Sequence, residues 1–329
     1  MRIRLSLFLA FLLLTISAIK AQQGYGKEPL IHTYSIVAMD QETGEMGVAV
    51  QSHWFSVGSI VIWGEAGVGV VATQSFVNPA YGPNGLALMK MGFSSKEALK
   101  ILLQKDEARE VRQVAFLDVN GKVAAHTGTN CIDFAGDQQG KNYSVQANLM
   151  ASEKIWPMMA EAYEGSEGKP LAERLIIALE AAQKAGGDLR GKQSAAILIV
   201  APESTGQPWV DRRVDLRVED HPAPVRELRR LLEVHTAYTH MNNGDLAIEH
   251  GDVEKALREY SAAEAMFPDN IEMKYWHAVS LANIGKVEDS LPIFRSCFKA
   301  DKNWKTVTQN IVKSGILVVS EEDFERILK

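Results

Sequence analysis

Several things are scarce in this sequence. Of 329 residues only two are cysteine, Cys131 and Cys297, which rules out the disulfide framework of a small secreted scaffold. They fall in what read as different domains, so a bridge between them is unpromising. The eight histidines have no H-x-x-x-H spacing and no C-x-x-C accompanies them, so neither a metal nor a cofactor is implied. Lysine and arginine form no run and the formal charge is −6, which excludes the clustered cations that nucleic-acid phosphates require. No G-x-S-x-G elbow marks a serine hydrolase. The one long apolar run, Leu5 to Ile16, follows Arg2 and Arg4 and precedes Ala21. It is short for a membrane span and has the layout of a secretory signal peptide. That reading gives a signal peptide at 1–21, a leader at 22–31, and a secreted or periplasmic mature protein with no membrane attachment once the signal is removed.

What is present begins at His32. From there to Pro83 β-like runs follow one another with few charges. Strands are expected at about 33–39, 47–52, 59–63 and 67–74. Side chains alternate along a strand, so Thr33 and Ser35 share one face while Tyr34 and Ile36 take the other. Helices follow: one over about 84–92, then one opened by Ser94 and Glu97, an S-x-x-E capping box. Asn120-Gly121 is a strong hairpin signal between strands at 112–119 and 122–127. A strand at 143–150, helices at 152–163 and 170–185, and strands at 193–201 and 213–218 complete the region. Strands grouped with strands and helices with helices argue for antiparallel sheets with helices layered outside.

From Pro222 the composition becomes helical. Gly251 to Ala256 recurs as Gly285 to Ser290, a spacing of 34 residues, which is the tetratricopeptide period. Domain boundaries are therefore expected at 32–221 and 222–329.

Several polar residues fall at strand ends, where they can converge on one rim: Ser52 and His53, Gln74 and Ser75, Asn78, Arg112, His126 and Thr127, Asn148, and Gln193 with Ser194. Each also suits a local turn or cap. The run from Gly67 to Ala72 matches a dinucleotide fingerprint, yet it continues as strand rather than opening a helix, so its glycines read as close-packing positions.

The residues 33–38, 47–50, 57–59, 67–74, 78–83, 112–113, 126–128, 193–194 and 214–222 together resemble an uncharacterised bacterial domain family. It is a domain of unknown function placed in the N-terminal-nucleophile (Ntn) hydrolase superfamily. The resemblance spans about 32–235 and implies the α+β class: a four-layer αββα sandwich, here followed by an all-α tetratricopeptide-like domain. It also implies amide hydrolysis of a small molecule or peptide. Carried across, Thr33 would be the nucleophile once the His32–Thr33 bond is cut. The strand pattern itself, apart from the resemblance, offers Ser35 and His126 as further catalytic candidates and His53, Asn78, Arg112, Asn148 and Ser194 to line the substrate. Two departures accompany it. Signal cleavage alone leaves about ten residues ahead of Thr33, and no lysine lies between Ser59 and Gln74. The alternative is a non-catalytic binding or scaffold protein that uses this fold. A protein partner on the helical repeats, and self-association, are compatible with either.

Overall fold

The computed structural model describes residues 30–31 and 33–329. The expected signal peptide at 1–21, most of the expected leader and His32 lie outside them. The chain divides into two compact units, one running to Arg230 and the other Leu231–Lys329. No helix among the described residues is long and apolar enough to cross a membrane.

The first unit is built on two antiparallel sheets. One has the order β1 (Leu30–Ile31), β5 (Gly69–Phe76), β6 (Arg112–Asp118), β7 (Val123–Thr127), with β4 (Ile62–Glu65) also paired to β5. The other has the order β11 (Arg212–Val218), β10 (Ser194–Val200), β3 (Met46–Ser52), β2 (Thr33–Met39), β9 (Tyr143–Ala147), β8 (Gly136–Gly140). Leu30 and Ile31 pair with Phe76 and Ser75 of the first sheet, whereas Thr33 pairs with Ser52 of the second. The chain thus changes sheets between Ile31 and Thr33.

Alternation decides what each face meets. Val37, Met46, Val48, Val50, Ala196 and Leu198 of the second sheet pack against Val70, Ala72, Ala115 and Leu117 of the first, forming a dry core between the sheets. The opposite face of the first sheet, with Val71, Val114 and Phe116, is covered by α1 (Tyr81–Lys90) and α2 (Ser95–Lys105) through Leu86, Met89 and Leu99. On the outer face of the second sheet lie α3 (Ile155–Glu164) and α4 (Leu171–Lys184). Leu171 and Leu175 of α4 approach so closely that a Cβ at Gly47 would stand 2.7 Å from the Leu175 side chain. The layers run helix, sheet, sheet, helix.

Local signals act as expected. Ser94 caps α2 with Glu97 returning to the Ser94 N–H, and Gly121 takes the left-handed conformation, φ 71°, in the β6–β7 turn. The run expected as a strand at 59–63 is a 3₁₀ turn at Val57–Ser59 followed by β4. Strand β8, GDQQG, has no apolar alternation and is absent from the expected elements. After β10, the short α5 (Pro208–Asp211) leads into β11. Helix α6 (Pro224–Glu249) then begins the helical part of the chain.

The second unit is helical: α7 (Val253–Met266), α8 (Ile271–Asn283), α9 (Val287–Ala300), α10 (Asn303–Lys313) and α11 (Glu321–Leu328), preceded by the end of α6. Gly251 and Gly285, 34 residues apart, hold matching places in the turns before α7 and α9, both left-handed at φ 75° and 80°. Tyr275, Phe294, Cys297 and Ile311 are buried in one cluster, and Met241, Tyr260, Ala263 and Met273 in another.

Gly69 is a close-approach position. A Cβ there would lie 2.3 Å from the Leu117 carbonyl oxygen of the neighbouring strand, and backbone cannot yield as a side-chain tip can. Gly69→Ala is expected to lower unfolding stability by about 2–3 kcal/mol, read from urea denaturation, whereas Gly92→Ala, with nothing within 4 Å, carries no such contact penalty.

Candidate functional site

The space between the sheets is apolar along most of its length and polar at one end. Register explains why. Directly paired residues share a face, so Ser194, Ser52 and Thr33 form one row across β10, β3 and β2. The Asn148 N–H extends the row by donating to the Thr33 carbonyl at 3.1 Å. The next row is Ala196, Val50, Ser35 and Gln146, and beyond it valines take over. Gln74, Gln113 and Thr127 face these rows from β5, β6 and β7.

These groups are buried and satisfy one another. The Ser35 hydroxyl donates to Gln74 Oε1 at 2.7 Å and accepts from Gln146 Nε2 at 2.7 Å. Gln74 Nε2 donates to Gln113 Oε1 at 2.7 Å and reaches the Thr33 carbonyl at 3.3 Å. Asn148 Nδ2 donates to the same two oxygens, at 2.9 Å and 3.4 Å. Gln113 Nε2 donates to the Ala147 carbonyl at 2.9 Å and to Thr127 Oγ1 at 3.0 Å. Thr127 in turn donates to Asp137 Oδ1 at 2.7 Å. Thr33, Ser35, Gln74, Gln113, Gln146 and Asn148 are all fully buried. Amides thus converge from both sheets on the first carbonyl of β2.

The backbone is strained here. Only four non-glycine residues among those described have left-handed φ, and two of them, Ser75 at 74° and Leu149 at 57°, directly follow Gln74 and Asn148. A left-handed leucine costs on the order of 1–2 kcal/mol. Both residues whose amides reach the Thr33 carbonyl are thus followed directly by a left-handed residue.

The other expected site residues have other places. Arg112 precedes Gln113, so its side chain leaves the opposite face of β6. There it is 2% exposed and donates to Asp106 Oδ2 at 2.8 Å and to the Phe76 carbonyl at 2.6 Å. His126 likewise lies opposite Thr127, with Nε2 2.8 Å from the Arg109 carbonyl. Neither joins the row of Thr33, because strand parity turns both outward. Asn78 Oδ1 accepts from the Ala80 N–H at 3.1 Å in a local turn. Ser194 lies in the row, but its hydroxyl donates to the Trp54 carbonyl and accepts the Val57 N–H at 3.1 Å, so it braces the turn after β3. His53 follows Ser52 at the Thr33 end and is exposed; its N–H donates to Asp188 Oδ2 at 3.2 Å. Of the expected set the structure brings together Thr33, Ser35 and Asn148. It draws in Gln74, one of the strand-end polar residues, and adds Gln113 and Gln146. Gln74 and Gln113 stand at strand ends in the sequence, whereas Gln146 has only its in-phase spacing with Asn148 to signal it.

No curated protein matches the chain. The chain belongs to a family of unknown function (DUF1028), whose model matches residues 33–228. Among solved structures it is similar to protein SPO2555 from Silicibacter pomeroyi, described as DUF1028. The two are 29% identical with a TM-score of 0.56, covering 62% of this chain and 89% of that one. A second similarity is to Anbu (ancestral beta-subunit) from Yersinia bercovieri, at 14% identity and a TM-score of 0.31, over 60% of this chain and 92% of that one. That likeness is too low to carry an argument.

Two outcomes follow from the polar contacts. Gln74→Leu keeps the volume but removes a donor and an acceptor, leaving Ser35 and the Gln113 carbonyl short of partners. It is expected to cost about 2–3 kcal/mol in urea unfolding. Burial alone would push the Asp106 carboxyl up. Hydrogen bonds from Arg112, the Ala108 N–H and Tyr81, together with the Arg112 charge, outweigh burial and hold it below its ordinary value. A depressed carboxylate contributes stability that is present above its unfolded pKa and lost as pH falls through the folded one. Between about pH 5 and pH 2 the native chain is therefore expected to lose more stability than Asp106→Asn, compared by thermal unfolding.

Proposed function

We propose that this chain is an amidohydrolase of the Ntn type, with Thr33 as nucleophile after cleavage of the His32–Thr33 bond. The observation that carries this reading is the placement of Thr33. It opens the strand flanked by β3 and β9, at the polar end of the inter-sheet space, where the Gln74 and Asn148 amides meet its carbonyl. The span of this chain matched by the family model begins at the same residue.

In this mechanism the freed α-amine takes the proton from Thr33 Oγ1 as the oxygen attacks the substrate's amide carbon. The negative charge that forms on the carbonyl oxygen needs fixed donors. Asn148 Nδ2 and Gln74 Nε2 are neutral donors gathered beside Thr33, each bonded to Gln113 Oε1 and the Thr33 carbonyl in the uncleaved chain, so one of those bonds would have to open for either to serve. As the C–N bond breaks, the α-ammonium returns the proton to the leaving amine. Water then hydrolyses the threonyl ester. Ser35 is a positioning residue here, since its hydroxyl is engaged by Gln74 and Gln146. The substrate is a small amide or peptide. The signal peptide at 1–21 would deliver the protein to the periplasm or outside the cell. The 34-residue helical units would form a tetratricopeptide-like module for a protein partner.

In the uncleaved chain Thr33 is fully buried and the network closes on itself. That observation favours a second reading, a binding protein that keeps the fold without chemistry. The N-terminal sequence of the mature exported protein separates the two. A start at Thr33 is expected; a stable, fully active protein starting at Gln22 sinks the mechanism. Against a panel of N-acyl anilides, Thr33→Ala is expected to lose about a thousandfold or more in kcat, while Thr33→Ser retains measurable turnover.

A further inference from the structure

Away from the Thr33 end, a groove of about 800 Å³ lies between α2 and the strand β7. Leu99 and Leu103 from the helix and Ala124 from the strand give it an apolar floor. Its charged lining is of one sign, Lys96, Lys100 and Arg109, with no carboxylate among the lining residues. That is unusual in a chain whose net charge is −6. The nearby carboxylates are engaged elsewhere. Glu97 accepts from the N–H and hydroxyl of Ser94, and Glu110 accepts from Thr129 and sits 3.4 Å from Arg109. Lys96 and Lys100 are exposed, and no ion pair involves either among the described residues.

One wall of the groove is a sheet edge. β7 ends the first sheet, and no described strand pairs with its outer side. Such an edge presents a row of backbone N–H and C=O groups ready to pair with an added strand. The two lysines stand one helical turn apart, about 6 Å along the axis. Same-face residues of a strand recur every ~6.8 Å, so alternating acidic side chains can match them.

We propose that this groove binds an extended acidic polypeptide segment, which adds as a strand to the β7 edge and sets alternate carboxylates against Lys96 and Lys100. A second copy of the chain fits poorly, because pairing through β7 would bring two sets of the same cations together. A phosphate-bearing ligand would satisfy the lysines but leave the edge unpaired. Neither the site nor its occupant depends on Thr33 chemistry.

Fluorescence anisotropy on the full chain tests this, with labelled acetyl-Val-Glu-Val-Glu-Val-Glu-amide as the probe. Saturable binding is expected, weakened about tenfold or more at high salt and in the Lys96→Glu/Lys100→Glu variant. The counterpart with lysine at every glutamate should not bind. N-methylation of all the valines, or of all the glutamates, removes donors from one edge of the peptide at a time. One of the two versions is expected to lose binding and the other to keep it. No binding of the acidic peptide overturns the proposal. So does equal binding of both N-methylated versions, which would mean charge attraction without strand pairing. Concentration-dependent dimerisation that the acidic peptide fails to compete away would also overturn it.

Discussion

The architecture depends on closing a set of hydrogen bonds in a place without water. Two sheets face each other, and most of the space between them is filled by valine, alanine and leucine. At one end the rows change to Thr33, Ser52, Ser194 and Asn148, then Ser35 and Gln146, met by Gln74 and Gln113 from the other sheet. Each buried amide or hydroxyl left without a partner would cost on the order of 1–3 kcal/mol. The sheets must therefore stack in the one register that lets Gln74 of one and Asn148 beside the other reach the same oxygens. An apolar interface tolerates sliding. This polar end does not, and it fixes the alignment of the whole sandwich.

Strain and satisfaction are coupled in the same place. Ser75 and Leu149 occupy left-handed conformations directly after Gln74 and Asn148. Ordinary strand continuation would carry the chain straight on past these positions. Each left-handed residue bends the chain just after a side chain that serves the Thr33 carbonyl, and the well-made bonds of the network offset the backbone cost. The glutamines thereby gain a geometry held by both sheets rather than by one flexible side chain.

Much of this was legible in the sequence, and the failures have a common cause. Local signals were sound: Asn120-Gly121 turns a hairpin, Ser94 and Glu97 cap a helix, and Thr33 and Ser35 share an inner face. What failed was parity. Arg112 and His126 drew notice as the chemically richer members of Arg112-Gln113 and His126-Thr127, yet alternation sends them outward and their quieter neighbours inward. Gln146 was overlooked because glutamine in a strand reads as a solvent-facing residue. Its amide is satisfied within its own sheet by Ser35 and Ser144, while the facing sheet covers it, which no local pattern encodes. Strand β8 was missed for a related reason: GDQQG is held by β9 and has no apolar face of its own.

The change of sheets between Ile31 and Thr33 has a consequence of its own. Leu30 and Ile31 are held to β5 by a ladder of only two residues, far too short to persist as a separate peptide. Continuity with β2 keeps them at high local concentration beside Phe76 and Ser75. A cut between the two strands would remove that tether, so the short strand would diffuse away and bare the β5 edge next to Gln74. Cleavage and unveiling would then be one event, and an irreversible one. The fold would work as a ratchet that can be sprung once.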